Sequence, residues 1–219
     1  MKIRTLLAAA AALLMASAAS AETLKVGVIA PLTGGGAPWG MAAKVGTELA
    51  AKDINEAGGL DIGGVKHQVE VISYDDKYAA ADAVAAYNRL VNQDGVKYIV
   101  LVSSSGTMAL KQNIEDDGVL AITASYTTQA LDENTHQLFR MYSAPVSYVP
   151  PFVKWMADNL TERRVVIVNP NDETGWDQTR LFKEHFSQNG FEVVGEELFE
   201  RTQSDFAPIS NAAVLPMVA

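Results

Sequence analysis

Residues 98–111 read YIVLVSSSGTMALK and contain the junction on which the fold prediction depends. Five apolar residues run directly into three serines and a glycine, after which a helical pattern begins. A short, continuous apolar run of this kind is typical of a parallel strand that is covered on both faces. The stretch therefore predicts a buried strand followed by a helix, with a row of hydroxyl groups between them.

The same alternation of strand and helix recurs along the chain. Apolar residues at helical spacing lie between the strand-like runs, as at Ala80, Val84, Tyr87 and Val91, and glycines follow the predicted helices. This repetition predicts an α/β fold with doubly wound parallel sheets. The predicted strands are residues 24–30, 68–74, 98–102, 119–123, 164–168 and 191–199.

The first 21 residues have the features of a secretory signal peptide. Lys2 and Arg4 precede an apolar run of about eleven residues, and a small-x-small cleavage site ends at Ala21. A membrane anchor is the alternative, but a bilayer core requires roughly 20 apolar residues. The chain has no cysteine, which excludes lipid attachment through a lipobox cysteine. We therefore expect cleavage after Ala21 and a location in the periplasm.

The composition of the remaining 198 residues limits the classes of partner. They carry 15 basic and 26 acidic residues, a formal net charge of −11. An acidic, exported protein is not expected to bind nucleic acid or anionic lipid. No later segment is apolar enough over sufficient length to cross a membrane, so we expect no stable membrane insertion. We also expect the protein to be a monomer. Without cysteine, stability depends on core burial rather than on disulfides.

Two segments indicate how the chain is divided. Residues 61–74 predict a hairpin around a Gly-Gly turn. Residues 142–151, YSAPVSYVPP, contain three of the eight prolines, and we interpret them as a crossover between two lobes, with the next helix starting after them. The alternative is a proline-rich turn inside one domain. On the first interpretation, residues 22–142 form an N-terminal lobe and residues 143–219 begin a second lobe.

Polar residues collect where the predicted strands end, which is where open parallel sheets bind ligands. A helix start such as 104–107 presents unpaired amides that bind anions, and serine hydroxyls there can accept or donate hydrogen bonds. The alternative is that one serine of residues 103–105 caps the helix while the others are solvated. The segments that follow the strands are PLTGGGAPWG, the pair Asp75 and Asp76, SSSGT, ASYTT and NPNDETGW.

Familiar catalytic and cofactor motifs are broken in this sequence. Trp39 stands where the third glycine of a dinucleotide fingerprint is required, and Met41 and Ala42 replace the lysine and hydroxyl residue of a P-loop. The three histidines are dispersed without the spacing of metal ligands. Asp75 and Asp76 could form an acid–base pair, but adjacent acids at a strand end are more often solvated. We therefore expect a protein that is not an enzyme and that has no cofactor.

Several segments together resemble the type I periplasmic substrate-binding proteins of ABC importers, and in particular the branch that binds branched-chain amino acids. The resemblance extends over residues 24–209. It implies two Rossmann-like lobes that close on a ligand, after which the loaded protein docks on a membrane permease. The segments that carry it are LKVGVIAPLTGGGAPWG, AAKDINEAGG, VISYDD, IVLVSSSGT and IEDDGVLAITASYTT.

The resemblance also implies roles for individual residues. Ser104 would meet the ligand carboxylate through its hydroxyl, Ser125 would offer backbone groups, and Thr127 would offer its side chain and amide. Trp39 would pack against the ligand side chain, although a core position is an equal alternative. The predicted ligand-binding residues are Trp39, Ser104, Ser105, Ser125, Tyr126, Thr127 and Thr174.

Three features depart from the family pattern. Thr174 precedes Gly175 where the family often has an aromatic residue, which weakens the case for a branched-chain ligand. Tyr78 and Ser103 stand where close relatives have a disulfide. A complete member has well over 300 residues, and the acid that usually binds the ligand ammonium lies in the part that is not present. The second lobe is therefore expected to be incomplete, and this chain alone to bind weakly or not at all.

The leading functional hypothesis is capture of an amino acid, of branched-chain type or a related small carboxylate or amide, for delivery to a permease. Two other classes of function remain open at this point. The first is a periplasmic lobe that senses its ligand for a signalling partner. The second is an exported α/β enzyme.

Overall fold

The computed structural model describes residues 22–211, which form two compact units. The smaller unit comprises residues 22–24 and Leu49–Glu70, and the larger comprises Lys25–Glu48 and residues 71–211. The predicted signal peptide, residues 1–21, lies outside the described residues. All seven predicted ligand-binding residues belong to the larger unit.

The smaller unit contains the predicted hairpin. Strand β2 (Leu60–Ile62) pairs antiparallel with the first part of β3 (Val65–Asp75), so that Leu60 lies opposite His67. Gly63 and Gly64 connect the strands with φ of 60° and 87°. A two-residue turn of this kind requires positive φ at both positions, which glycine adopts without a Cβ clash. The prediction of a Gly-Gly hairpin is confirmed.

Four strands of the first sheet pair in parallel, as predicted. Its strands β1 (Glu22–Ala30), β4 (Tyr98–Leu101), β5 (Leu120–Thr123) and β6 (Leu138–Arg140) are successive hydrogen-bonded neighbours. β6 has only three residues, too few for a periodic pattern, and the sequence did not predict it.

Three helices belong to this part of the chain. They are α1 (Ala37–Glu56), α2 (Ala80–Asn92) and α3 (Ser104–Asp117). The apolar face of α2 buries Tyr87 and Leu90, which pack with Leu110 and Ile114 of α3 in one core that includes Ile29. Packing of this apolar stripe fixes where the helix starts sit relative to the strand ends.

A second sheet has its own core. Strands β7 (Arg164–Pro170) and β8 (Glu192–Phe199) are parallel and flanked by helices α4 (Pro145–Asn159) and α5 (Glu173–Gln188). The buried residues of this core are Val149, Val153, Ile167, Leu181, Phe186 and Phe191. The predicted α/β class with parallel sheets is confirmed for both sheets.

The expectation that a helix starts after residues 142–151 is wrong. Helix α4 begins at Pro145 and contains Pro150 and Pro151. Proline is well suited to the first helical position, because the amide there has no intrahelical partner in any case. Burial of Val149 and Val153 on one face holds the following turns helical, although interior prolines each remove a hydrogen bond. Among residues 22–211, no helix is long and apolar enough to cross a membrane.

Candidate functional site

Ser103, the first of the three serines, caps helix α3. Its hydroxyl oxygen accepts from the backbone N–H of Gly106 at 3.1 Å and so caps α3, while the hydroxyl donates to Asp76 at 2.5 Å. The alternative that one serine caps the helix is therefore confirmed. The expectation that the remaining serines are solvated is wrong, because Ser104 and Ser105 are buried.

Asp76 is also buried, which corrects the expectation of a solvated acidic pair. Burial raises the pKa of the Asp76 carboxyl, against the opposing effect of the hydrogen bond from Ser103. The Asp76 carboxylate also accepts a hydrogen bond from the backbone N–H of Tyr78 at 2.9 Å. Asp75 accepts one from the backbone N–H of Lys77, also at 2.9 Å. Lys77 and Tyr78 have φ of 49° and 63°, a left-handed conformation that these carboxylates hold in place.

Ser104 lies at the centre of a hydroxyl cluster. Its Oγ accepts from the hydroxyl of Ser125 at 3.0 Å, from the backbone N–H of Tyr126 at 3.1 Å and from the hydroxyl of Thr174 at 2.8 Å. Three donors exceed the two lone pairs of a hydroxyl oxygen, so the oxygen is saturated with hydrogen bonds. The structure thus brings together four of the predicted residues, one of them from the second sheet's helix.

Arg140 holds the loop after β5 through hydrogen bonds to its backbone carbonyls. Its guanidinium donates to the carbonyl of Ser125 and, at 2.7 Å, to that of Thr127. Burial lowers the pKa of Arg140, although nearby Asp177 opposes that shift. The N–H of Ser125 donates to the hydroxyl of Thr123 at 3.0 Å. Both backbone groups of Ser125 are therefore bonded within the protein in this conformation.

Helix α5 starts with acidic residues that reach the first sheet's loops, and sequence reasoning missed them. Asp172 caps the helix by accepting from the N–H groups of Thr174 and Gly175 at 3.0 and 3.1 Å. Glu173 accepts a hydrogen bond from the hydroxyl of Ser105. Asp177 accepts from the N–H and the hydroxyl of Thr128. Asp172 at the N-cap and Glu173 in the first turn were the available signal, since these positions favour negative charge, whereas Asp177 lies beyond the first turn.

Asp177 is ionised in this arrangement. Burial by itself would raise the pKa of the Asp177 carboxyl, but hydrogen bonds from Thr128 and Arg180 outweigh it, and the pKa lies below its ordinary range. The carboxyl side chain is fully buried, whereas the paired Arg180 is half exposed. The negative charge is therefore held by donors from the loop after β5 and from helix α5 itself.

A cavity of about 230 Å³ lies beside this cluster, at the carboxyl ends of the strands. Trp39, Tyr126 and Thr174 of the predicted set line it, whereas Ser104, Ser105, Ser125 and Thr127 are buried and do not. Its lining residues are Trp39, Tyr78, Val102, Ala124, Tyr126, Tyr142, Pro170, Thr174, Gln178 and Arg201.

Aromatic rings and one guanidinium dominate the cavity wall. The rings of Tyr126 and Tyr142 are stacked with centroids 6.1 Å apart. The guanidinium of Arg201 lies 3.9 Å from the ring centroid of Tyr78, donates to its hydroxyl at 3.1 Å and is paired with Asp172. Sequence reasoning missed Arg201, because a single arginine after a strand carries no spacing signal.

Known proteins are similar to this chain in sequence. The family model described as periplasmic binding protein matches residues 23–214. The Leu/Ile/Val-binding protein of Escherichia coli strain K12 is 29% identical over 210 residues, which cover 95% of this chain and 56% of that protein. The chain thus spans about half the length of the curated relatives it matches.

Solved structures are similar in fold. The fatty acid ABC transporter substrate-binding protein from Thermomonospora curvata superimposes with a TM-score of 0.80 at 25% identity, covering 90% of this chain and 49% of the other. A solute-binding protein of an ABC transporter from Rhodopseudomonas palustris BisB5, in complex with 3,4-dihydroxybenzoic acid, gives 0.71 at 25% identity, covering 86% and 50%. These likenesses confirm the resemblance to type I periplasmic substrate-binding proteins and the predicted α/β fold class.

Proposed function

Because this chain belongs to the periplasmic binding protein family, we propose that it is the solute-binding component of an ABC transporter. In this role it captures a small molecule in the periplasm, as a monomer, and delivers it to a membrane permease. The ligand is bound and released without chemical change. The names of the relatives support this role, since the Escherichia coli relative is a binding protein and the two solved structures are substrate- or solute-binding proteins of ABC transporters.

The observation that carries the proposal is the composition of the cavity wall. Tyr126 follows β5 of the first sheet, whereas Pro170 ends β7 of the second sheet and Thr174 follows it. A ligand in this cavity contacts both parts of the protein. It therefore favours the arrangement in which the two parts are close, which is the energetic basis of hinge closure.

The proposed ligand is a small carboxylate, an amino acid of branched-chain type or a related acid or amide. Ser104 and Thr127 are the proposed donors to its carboxylate; both are buried behind the cavity wall in the present conformation, so they contact a ligand only after the wall rearranges. In the present conformation the hydroxyl of Thr174 bonds to Ser104 at 2.8 Å. A hydrogen bond between neutral groups contributes about 0.5–1.5 kcal/mol, against roughly 1.5–3 kcal/mol when one partner is charged. A carboxylate oxygen is an acceptor, so it takes the hydrogen of the Ser104 hydroxyl and does not replace Thr174 as a donor; this charge-assisted bond is stronger than the neutral one.

The relatives differ in the ligand that they bind. The Escherichia coli protein is named for leucine, isoleucine and valine, and the Rhodopseudomonas palustris protein was solved with 3,4-dihydroxybenzoic acid. Thr174 occupies the position beside Gly175 at which the branched-chain pattern often has an aromatic residue. We therefore place the ligand among small carboxylates in general rather than among branched-chain amino acids alone.

A thermal-shift panel tests the proposal on the protein purified as expressed from its own gene. Leucine, glutamine and benzoate represent amino acids, amides and simple acids. A ligand that binds only the folded state raises the melting temperature with its concentration. We expect at least one of the three to give a saturable increase. No increase with any of them, from a protein that unfolds cooperatively, would contradict the proposal.

A further inference from the structure

The cavity has a chemical character that narrows the ligand class. Four aromatic rings line it, and one of them, Trp39, is 60% exposed at its rim. Large apolar side chains that remain exposed around a concave surface commonly mark a binding site. The rings come from four different strand ends or helix starts, so their convergence is a product of the fold rather than of one local segment.

The charge of the cavity wall distinguishes anionic from cationic ligands. Arg201 is the only charged residue among those that line the cavity, and no acidic residue within residues 22–211 lines it. A buried or half-buried guanidinium favours an anion and repels a cation such as a quaternary ammonium, which aromatic rings would otherwise accept. The cavity wall therefore favours a carboxylate that carries no positive charge of its own.

The contacts of Arg201 leave one edge of its guanidinium for a ligand. Nε donates to Asp172 and Nη2 donates to the hydroxyl of Tyr78 at 3.1 Å. Within the part of the chain that the structure describes, Nη1 has no hydrogen-bond partner. Stacking on the Tyr78 ring, 3.9 Å from its centroid, holds the guanidinium plane in place. A guanidinium fixed in this way loses little side-chain entropy when it binds a carboxylate.

The cavity is large enough for one ring. A dry cavity of roughly 150 Å³ is sufficient to hold benzene. The volume of about 230 Å³ therefore accommodates a benzene ring with a carboxylate, but is smaller than the roughly 300 Å³ at which drug-sized pockets begin.

Resting on the proposed function, we propose that this cavity binds a single-ring aromatic carboxylate. The ring lies among Trp39, Tyr126 and Tyr142. One carboxylate oxygen accepts from Arg201, and the other is the acceptor for Ser104 and Thr127 in the proposed function. Ring–ring contacts contribute beyond the area they bury, which gives an aromatic acid an advantage over a saturated ring of the same size. Arg201 is then the residue that selects an acid over its neutral amide.

Five probes separate these contributions in titrations followed by calorimetry. Benzoate has the ring and the charge, benzamide lacks the charge, cyclohexanecarboxylate lacks the aromatic ring, and leucine adds an ammonium group. We expect benzoate to bind about tenfold more tightly than benzamide and several-fold more tightly than cyclohexanecarboxylate, the factors that one charge-assisted hydrogen bond and one stacking contact represent. Glycine betaine, a quaternary ammonium, is expected not to bind.

Two variants place the selectivity on Arg201. Arg201→Gln is expected to weaken benzoate about tenfold and leave benzamide unchanged, which a general loss of structure would not do. Arg89→Gln is the matched control, because Arg89 also lies over a tyrosine ring, that of Tyr74, and does not line the cavity. Equal losses for benzoate and benzamide in Arg201→Gln would overturn the assignment.

The outcomes also separate this inference from the proposed function. Binding of leucine, glutamine or glycine betaine without binding of benzoate would overturn the aromatic-acid inference and leave a solute-binding role in place. Absence of binding by every probe would contradict both. Equal affinity for benzoate and cyclohexanecarboxylate would show that the rings act only as apolar surface, and would likewise overturn the inference.

Discussion

The carboxylate of Asp177 accepts two hydrogen bonds from Thr128, one from the backbone N–H at 2.6 Å and one from the hydroxyl at 2.7 Å. Asp177 belongs to the helix that follows β7, and Thr128 belongs to the loop that follows β5. The two sheets are therefore joined by a buried, charged contact that lies next to the proposed ligand cavity. Order in the loop after β5 depends on this carboxylate.

Asp177→Asn tests the strength of this contact. The substitution keeps the shape of the side chain but removes the charge and turns one acceptor into a donor. We expect the free energy of unfolding to fall by about 1–3 kcal/mol, the range for a buried hydrogen bond to a charged group. Urea denaturation measures the change. Asp158→Asn is the control, since its exposed pair with Lys154 is worth less than about 0.5 kcal/mol.

The same carboxylate predicts a dependence on pH. Because the pKa of Asp177 is lowered in the folded protein, its contribution to stability is fully present above the unfolded pKa and is lost as the pH falls through the folded pKa. Asp76 behaves in the opposite sense, because its raised pKa gives stability that is lost as the pH rises through the folded value.

Comparison of the wild type with Asp177→Asn isolates the first effect, because Asp76 is common to both. The difference in unfolding free energy is expected to be constant near neutral pH and to shrink as the pH is lowered into the acidic range of carboxyl titration. Urea titrations at successive pH values measure it. A difference that persists unchanged at the acid end would show that the charge of Asp177 is not what stabilises the contact.

Two glycines give opposite predictions for the same substitution. A Cβ added at Gly175 would lie 1.7 Å from the carbonyl oxygen of Pro170, which is backbone and has no room to move. Gly175→Ala is therefore expected to destabilise the protein by several kcal/mol, roughly the range of strong overpacking. At Gly46 no atom lies within 4 Å of the added Cβ. Because Gly46 is in a helix, Gly46→Ala is expected to stabilise by about 0.5–1 kcal/mol.

Thermal unfolding of the two variants tests both predicted changes in stability, the loss in Gly175→Ala and the gain in Gly46→Ala. A destabilised Gly46→Ala would mean that α1 is not helical at that position. A Gly175→Ala protein as stable as the wild type would mean that the turn between β7 and α5 is open enough for a methyl group, contrary to the structure.

The fold was largely predictable because it depends on local patterns. The run at residues 98–102 and the stripe at Val84, Tyr87 and Val91 correspond to β4 and α2. Ser104, Ser125 and Thr174 each follow the end of a predicted strand. This was sufficient to predict that they lie together, as their hydrogen bonds show. The start of α4 was missed, because the apolar packing of its face overrides the low helix propensity of its prolines.

The charged part of the site was not predictable from the sequence. Glu173, Asp177 and Arg201 acquire their roles from contacts with residues 49 to 123 positions away, at distances that no local pattern encodes. The burial of Asp76 has the same origin, since its partner Ser103 lies 27 positions away. Sequence reasoning treats such residues as solvated surface, and tertiary structure decides otherwise.

The central claim is that the hydroxyl and amide groups at the strand ends bind a small carboxylate. Calorimetric titration of leucine and benzoate into the wild type, Ser104→Ala, Thr127→Ala and the exposed control Ser204→Ala tests it most directly. We predict binding of at least one acid by the wild type and the control, and about tenfold or greater weakening in Ser104→Ala and Thr127→Ala. Unchanged affinity in both of those folded variants would contradict the account.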